Sequence, residues 1–289
     1  MTETELLDIL KKDPTDLNNY DELAAHYEEN GDDEKAVKVL KDALEKVETN
    51  DLGLDEETKN MYITSYYLDI ASLLGGLSKF SESDKYLDLA TDRELENNDL
   101  HQFFCYRANN FYHSYILEEK PFDEKAFLQA CEWAQKSADL SPDDIGRVYM
   151  FELLCKMYAE LNDSKKAEEY ARKTIELAAK IDDPEAIDGY FAYAPYSYVA
   201  ECYFNAEDTT NTIRMLLESE RAGVEQNADE GFMFSTFTSL GQCYAFEGAH
   251  NLALAYFEKA HAIKEDEEQL NEWITKLKEI LETGGNSKN

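Results

Sequence analysis

Apolar positions in this chain follow a spaced series that recurs six times. The last copy reads Phe237, Leu240, Gly241, Tyr244, Gly248, Ala253, Phe257 and Ala260, at offsets 0, 3, 4, 7, 11, 16, 20 and 23. The first four offsets share one face of an α-helix, the second glycine marks a turn, and the last three share one face of a second helix. Each copy therefore predicts a helical hairpin with small residues where its two helices meet. A lone hairpin cannot bury such a face, so the copies must stack.

The first copy, Tyr20, Leu23, Ala24, Tyr27, Gly31, Ala36, Leu40 and Ala43, fits every offset. The second reads Tyr67, Ile70, Ala71, Leu74, Ser78, Ser83, Leu87 and Ala90, with serine at two small-residue positions. In the fourth, Phe151, Leu154, Cys155, Tyr158, Asn162, Ala167, Ala171 and Thr174, asparagine replaces the glycine and tolerates a left-handed turn next best. The fifth reads Tyr196, Val199, Ala200, Tyr203, Glu207, Thr212, Leu216 and Ser219. The third fits worst. Phe104, Ala108 and Phe111 follow the series, but Arg107 stands at an apolar position and the turn from Glu118 to Phe122 is longer, so its register stays open.

This order of aromatic, leucine, small, tyrosine, glycine, alanine, aromatic or leucine, and alanine resembles the tetratricopeptide repeat (TPR) family. The resemblance implies an all-α fold: a right-handed superhelix of about six antiparallel helix pairs, with a groove lined by the first helix of each pair. One solenoid domain is expected over 1–283, with repeats near 17–50, 55–97, 99–140, 142–180, 184–226 and 228–265, a capping helix at 266–283 and a disordered tail at 284–289. The repeats depart from the family's period of about 34 residues. Their first aromatics fall at 20, 67, 104, 151, 196 and 237, at intervals of 47, 37, 47, 45 and 41. The additional residues, Asp55 to Ile63, Pro184 to Ala192 and Ala228 to Met233, read as helical extensions of the first helices. Asp183 with Pro184, and Ser141 with Pro142, are start signals. Long first helices of this kind resemble those of kinesin light chains and bacterial peptide-pheromone receptors, and they should widen the groove. Residues 3–12 predict a short amphipathic helix, and Leu270, Trp273, Ile274, Leu277 and Leu281 lie at the spacing of a cap.

Composition supports the helical reading. A chain of 289 residues, 43% hydrophobic and with only 5 prolines and 12 glycines, can build a large helical core. Neither a leader sequence nor a run of about 18 apolar residues stands out, so a cytoplasmic location away from membranes is expected. Cys105, Cys131, Cys155, Cys202 and Cys243 are widely spaced, which points to reduced thiols and to no metal site. The net charge of -34 opposes nucleic acid and anionic membrane surfaces as partners. Two readings of that charge stay open: solvated outer helix faces, or a groove suited to a basic partner.

No phosphate loop, zinc-protease motif or nucleophile elbow is present, so no catalytic residue and no cofactor is assigned. His101 and His113 flank Cys105 at helical spacing, but a nucleophilic thiol needs a cleft and a depressed pKa as well. On each first helix, offsets 1, 5 and 8 lie about 110° from the buried stripe and should face the groove. These positions are Glu152, Lys156 and Ala159 in the fourth repeat, Ser197, Glu201 and Phe204 in the fifth, Thr238, Gln242 and Ala245 in the sixth. In the third they are Cys105, Asn109 and Tyr112. The candidate binding residues are thus Asn109, Tyr112, Glu152, Lys156, Ser197, Tyr198, Glu201, Phe204, Thr238 and Gln242.

The resemblance also brings an exclusion. The family's clamp for C-terminal carboxylates uses lysine, asparagine and arginine at these positions, where this chain has Asp21, Ala25 and Glu28, then Leu68, Ser72 and Gly75. Residues 182–230 hold 12 acidic residues against Arg214 and Arg221, with aromatics gathered around Pro195, which should kink or restart a helix. Tyrosine faces beside carboxylates suit a cation, or else simply pack between repeats. The leading expectation is a non-catalytic scaffold or adaptor binding a peptide or protein segment. The alternative is a ligand-responsive regulator resembling the pheromone receptors without a DNA-binding domain; an enzyme ranks last. Oligomeric state is not encoded in these patterns.

Overall fold

A computed structural model describes residues 1–49, 52–91, 93, 95–181, 183 and 186–285, and all regular structure among them is α-helical. The helices are α1 (Glu3–Lys12), α2 (Asn18–Glu29), α3 (Asp33–Glu48), α4 (Glu56–Gly76), α5 (Phe80–Thr91), α6 (Asn97–Leu117) and α7 (Glu124–Leu140). They continue as α8 (Asp144–Glu160), α9 (Ser164–Ala178), α10 (Tyr190–Asn205), α11 (Thr209–Glu225), α12 (Glu230–Phe246), α13 (His250–Ile263) and α14 (Glu268–Gly285). From α2 to α13 they pack as six consecutive pairs, with α1 against α2 and α14 against α13. Two compact units result, Met1–Pro142 and Asp143–Asn289.

Part of the acidic excess is spent on starting helices. Asp55, Asp123, Asp143, Asp163, Asp208 and Asp229 each accept a hydrogen bond from the backbone N–H three residues on, at 2.7 to 3.1 Å. Each satisfies a donor that the helix itself cannot, and its charge complements the helix dipole. This revises two of the expected starts. Asp143, not Ser141, caps α8. The extension over Pro184–Ala192 is helical only from Tyr190, whose N–H bonds Asp188 Oδ1 at 2.8 Å; residues 184 and 185 lie outside the described residues. The extensions at Asp55 and Ala228 are helical as expected, from Glu56 and Glu230. Pro195 restarts nothing, since α10 runs continuously through it.

All six hairpins close in the same way. The turn residue is left-handed in each: Gly31 (φ 73°), Ser78 (57°), Glu119 (48°), Asn162 (55°), Glu207 (58°) and Gly248 (73°). The next N–H then returns to a carbonyl in the last helical turn, from Asp32 to Tyr27, Lys79 to Leu74, Lys120 to Tyr115, Asp163 to Tyr158, Asp208 to Tyr203 and Ala249 to Tyr244, at 2.8 to 3.1 Å. A side chain in this region costs roughly 1 kcal/mol or more. The closing bond offsets that cost by satisfying an orphan carbonyl, which is why four of the six turns dispense with glycine.

The closing bond settles the third register. Tyr115 stands where Tyr27 and Tyr158 stand, so this repeat is read from Ala108, one helical turn later than the reading from Phe104. Arg107 then precedes the buried stripe and turns to α5, where it pairs with Asp84 at 3.4 Å and with Asp88. In α7, fully buried Phe127 takes the slot filled elsewhere by Ala36, Ser83, Ala167, Thr212 and Ala253. Its ring meets those of Tyr115, Phe111 and Phe122 at 4.7, 5.0 and 5.1 Å. A phenyl ring in a small-residue slot needs the longer turn of residues 118–123. The sixth repeat shows the opposite fit, for a Cβ on Gly241 would stand 2.5 Å from the Phe257 ring.

The last helix seats Leu270, Ile274 and Leu277 on Phe257 and Ala260, as a cap should. It runs to Gly285, two residues past the expected end at 283, and residues 286–289 of the expected tail lie outside the described residues.

Candidate functional site

In the unit Asp143–Asn289, α10 and α12 border a groove of about 470 Å³. Ser197, Tyr198, Glu201 and Phe204 line it from α10, and Phe232, Ser235, Ser239 and Gln242 from α12, over a floor that includes Leu216 of α11. Five of the expected residues are therefore brought together. Phe204 is 60% exposed, an unusual state for a phenylalanine beside an apolar floor. Glu201 is the groove's one charged lining residue.

Phe232, Ser235 and Ser239 were missed because the open stripe of α12 is rotated from that of α10. Phe232, Ser235, Ser239 and Gln242 lie at spacings of three, four and three, a single helical face. That face begins in the helical extension before the repeat, which was the available signal. Thr238, expected on it, instead has a buried hydroxyl with no hydrogen-bond partner among the described residues.

Glu152 and Lys156 form a different kind of site. Glu152 is only 6% exposed, so it is no groove-facing group. It pairs with Lys156 Nζ at 2.5 Å and accepts from the Tyr190 hydroxyl at 3.3 Å. The Lys156 ammonium also lies 5.1 Å from the Tyr198 ring centre, linking this pair to the groove wall. Of the two candidates in the other unit, Asn109 is half-buried and its amide donates back to the Cys105 carbonyl at 2.9 Å; half-buried Tyr112 packs edge-on against His113.

The aromatic cluster near Pro195 is largely packing. Phe191 and Tyr193 are buried. Tyr203 donates to Glu168 at 2.8 Å, and the bidentate Arg214 holds that carboxyl below its usual range. The cation beside this tyrosine thus comes from the chain itself. The thiol–imidazole pair also fails. His101 Nδ1 bonds the Ser137 carbonyl at 2.8 Å, and burial pushes the Cys105 thiol up to about 11. A thiol so protonated is a poor nucleophile.

Residues 234–267 match the tetratricopeptide repeat. They span α13 and most of α12, the hairpin in which Gly241 meets Phe257. The same architecture extends through solved structures. The apo form of RapI superposes with a TM-score of 0.64 at 12% identity, covering 92% of this chain and 72% of that one. The chain has the TPR fold. BtubC (BKLC) from P. vanneervenii gives a TM-score of 0.55 at 14% identity over 80% of this chain and 91% of its own. The TPR-sensor protein PH0952 from Pyrococcus horikoshii, a signal transduction ATPase with numerous domains, gives 0.58 at 14% identity over 94% of this chain and 43% of its own. At these identities the likeness is one of fold. No curated protein sequence matches the chain. TPR solenoids typically act as protein-interaction scaffolds or regulators through surfaces built by stacked helices. No described helix is long and apolar enough to cross a membrane.

Proposed function

We propose that the chain is a non-catalytic, cytoplasmic scaffold that holds an extended segment of a partner protein between α10 and α12. The carrying observation is the groove itself, with its exposed Phe204, apolar floor and rim of Ser235, Ser239 and Gln242. An apolar floor supplies the burial energy, and the hydroxyl and amide groups bond a peptide backbone without demanding one sequence. Glu201 favours a basic residue beside the segment, and the net charge of -34 attracts basic partners from a distance.

The test begins with a peptide selected from a random displayed library on the whole protein. Its affinity is then measured by fluorescence polarisation for wild type, Phe204→Ala and Gln242→Ala. The groove variants should each weaken binding about tenfold, or about 1.4 kcal/mol. Phe246→Ala, which removes a side chain that is 82% exposed and outside the groove lining, should leave it unchanged. Equal affinity for wild type and both groove variants would place recognition elsewhere.

A further inference from the structure

In the unit Asp143–Asn289, α8 packs directly along α10, but no comparable packing joins α10 to α12. Both pack on α11 instead, and they meet each other near their starts, where the Tyr193 and Phe232 rings lie 4.5 Å apart. Beyond that contact the walls carry small side chains, Ser197 and Ala200 on α10 and Ser235 and Ser239 on α12. Side chains of this size do not bridge the gap. The groove therefore deepens into a slot that reaches Leu216 on α11, one helix layer down.

The slot has a ring at each end. Phe232, already paired with Tyr193, closes it at the helix starts, and exposed Phe204 stands toward the far end of α10. Phe204 forms no ring pair among the described residues, whereas Tyr158 pairs with Tyr170 and Tyr244 with Tyr256 in the same unit. A flat ring from a partner fits this shape. It passes between two walls of small residues to the apolar floor, and an edge or offset contact with Phe204 adds to the burial energy. A branched aliphatic side chain reaches the same floor but gains no ring contact. The volume of about 470 Å³ holds the ring and leaves room for the residues beside it.

Charge sets the neighbour of that ring. Ser197, Glu201 and Phe204 follow at spacings of four and three on one face of α10. Glu201 thus stands about 6 Å along the helix from Ser197. In an extended segment, side chains on one face recur every second residue, about 6.6 Å apart. Glu201 forms no ion pair with a described residue, and the Lys156 ammonium near Tyr198 is held by Glu152 at 2.5 Å. We propose that the slot takes an aromatic side chain of the bound segment and that Glu201 takes a lysine or arginine two residues from it. This rests on the scaffold reading and names the segment that the groove selects.

The test uses fluorescein-labelled octapeptide amides of serine and glycine that carry one phenylalanine and one arginine two residues apart, in both orders. Fluorescence polarisation with the full chain should show saturable binding of one order. Leucine in place of the phenylalanine should weaken it about fivefold, and citrulline, the neutral isostere of arginine, about threefold. Glu201→Gln should bind the arginine and citrulline peptides alike. Ser239→Phe, which fills the slot with a ring of the chain's own, should weaken the phenylalanine peptide at least tenfold. Failure of both orders to bind, equal affinity for leucine and phenylalanine, or an arginine preference that survives Glu201→Gln would each overturn the assignment. If the peptide selected from the random library still depended on Phe204 and Gln242 in that event, the scaffold reading would stand without the aromatic anchor. If that peptide were indifferent to them as well, both would fall.

Discussion

Glu152 and Asp69 occupy comparable places on the first helices of two pairs, one in each compact unit, and they end in opposite electrostatic states. Glu152 is the more buried, yet Lys156 sits one helical turn away and Tyr190 bonds it from α10. Asp69 is less buried, but the negative charges of Asp21, Glu28 and Asp99 act on it, and among the described residues only Ser65 donates to it. Burial alone therefore does not separate a paired carboxylate from an unpaired one. What separates them is whether the chain supplies the countercharge.

The strongest way to break this contrast is to remove the cation from the satisfied side. Lys156→Met strands a nearly inaccessible carboxylate and should cost about 3 kcal/mol, seen as a lower urea midpoint. Adding Glu152→Gln should recover most of that loss. A single variant as stable as wild type would show that Glu152 does not need its partner.

On the other side, removing the charge should help. The folded state keeps the Asp69 proton up to about pH 6, whereas the unfolded chain releases it near 3.8. Protonation therefore favours folding, and its contribution is fully present below pH 3.8 and lost as pH rises through 6. Asp69→Asn keeps the neutral form at every pH. Above pH 7 it should be more stable than wild type by on the order of 1 kcal/mol after allowance for solvent screening. Urea titrations at pH 3.5 and 7.5 check this, and a variant less stable than wild type at the higher pH contradicts it.

The donors provide the finest comparison. Tyr190→Phe removes a bond to a buried carboxylate and should cost roughly 0.5 to 1 kcal/mol. Ser65→Ala removes an exposed donor and should cost only a few tenths. Thermal melts that rank these two in reverse would show that burial around Glu152 is less complete than it appears from its 6% exposure.

Much of the architecture was legible because offsets along one helix translate directly into azimuth. Ala24, Ala43, Ala71, Ala90 and Ala260 are buried as the series requires, and α1 spans Glu3–Lys12 as predicted. The candidate groove was half legible for the same reason. Ser197, Tyr198, Glu201 and Phe204 share a wall, but the matching stripe on α12 is turned, leaving the Thr238 hydroxyl buried and placing Ser235 and Ser239 at the rim. The third repeat misled the count because a longer turn and Phe127 conceal where its closing bond falls.

By itself, then, the sequence determined the helix pairs, the small residues where they touch and five of the six left-handed turn positions, since these depend on contacts within one hairpin. Tertiary structure alone decided that Tyr115 closes the third hairpin and that Glu152 meets Tyr190 across two pairs. Helical periodicity sets the direction in which a side chain leaves its own axis. Which side chains then meet depends on how far one pair is displaced and rotated from the next, and no spacing along a single helix records that.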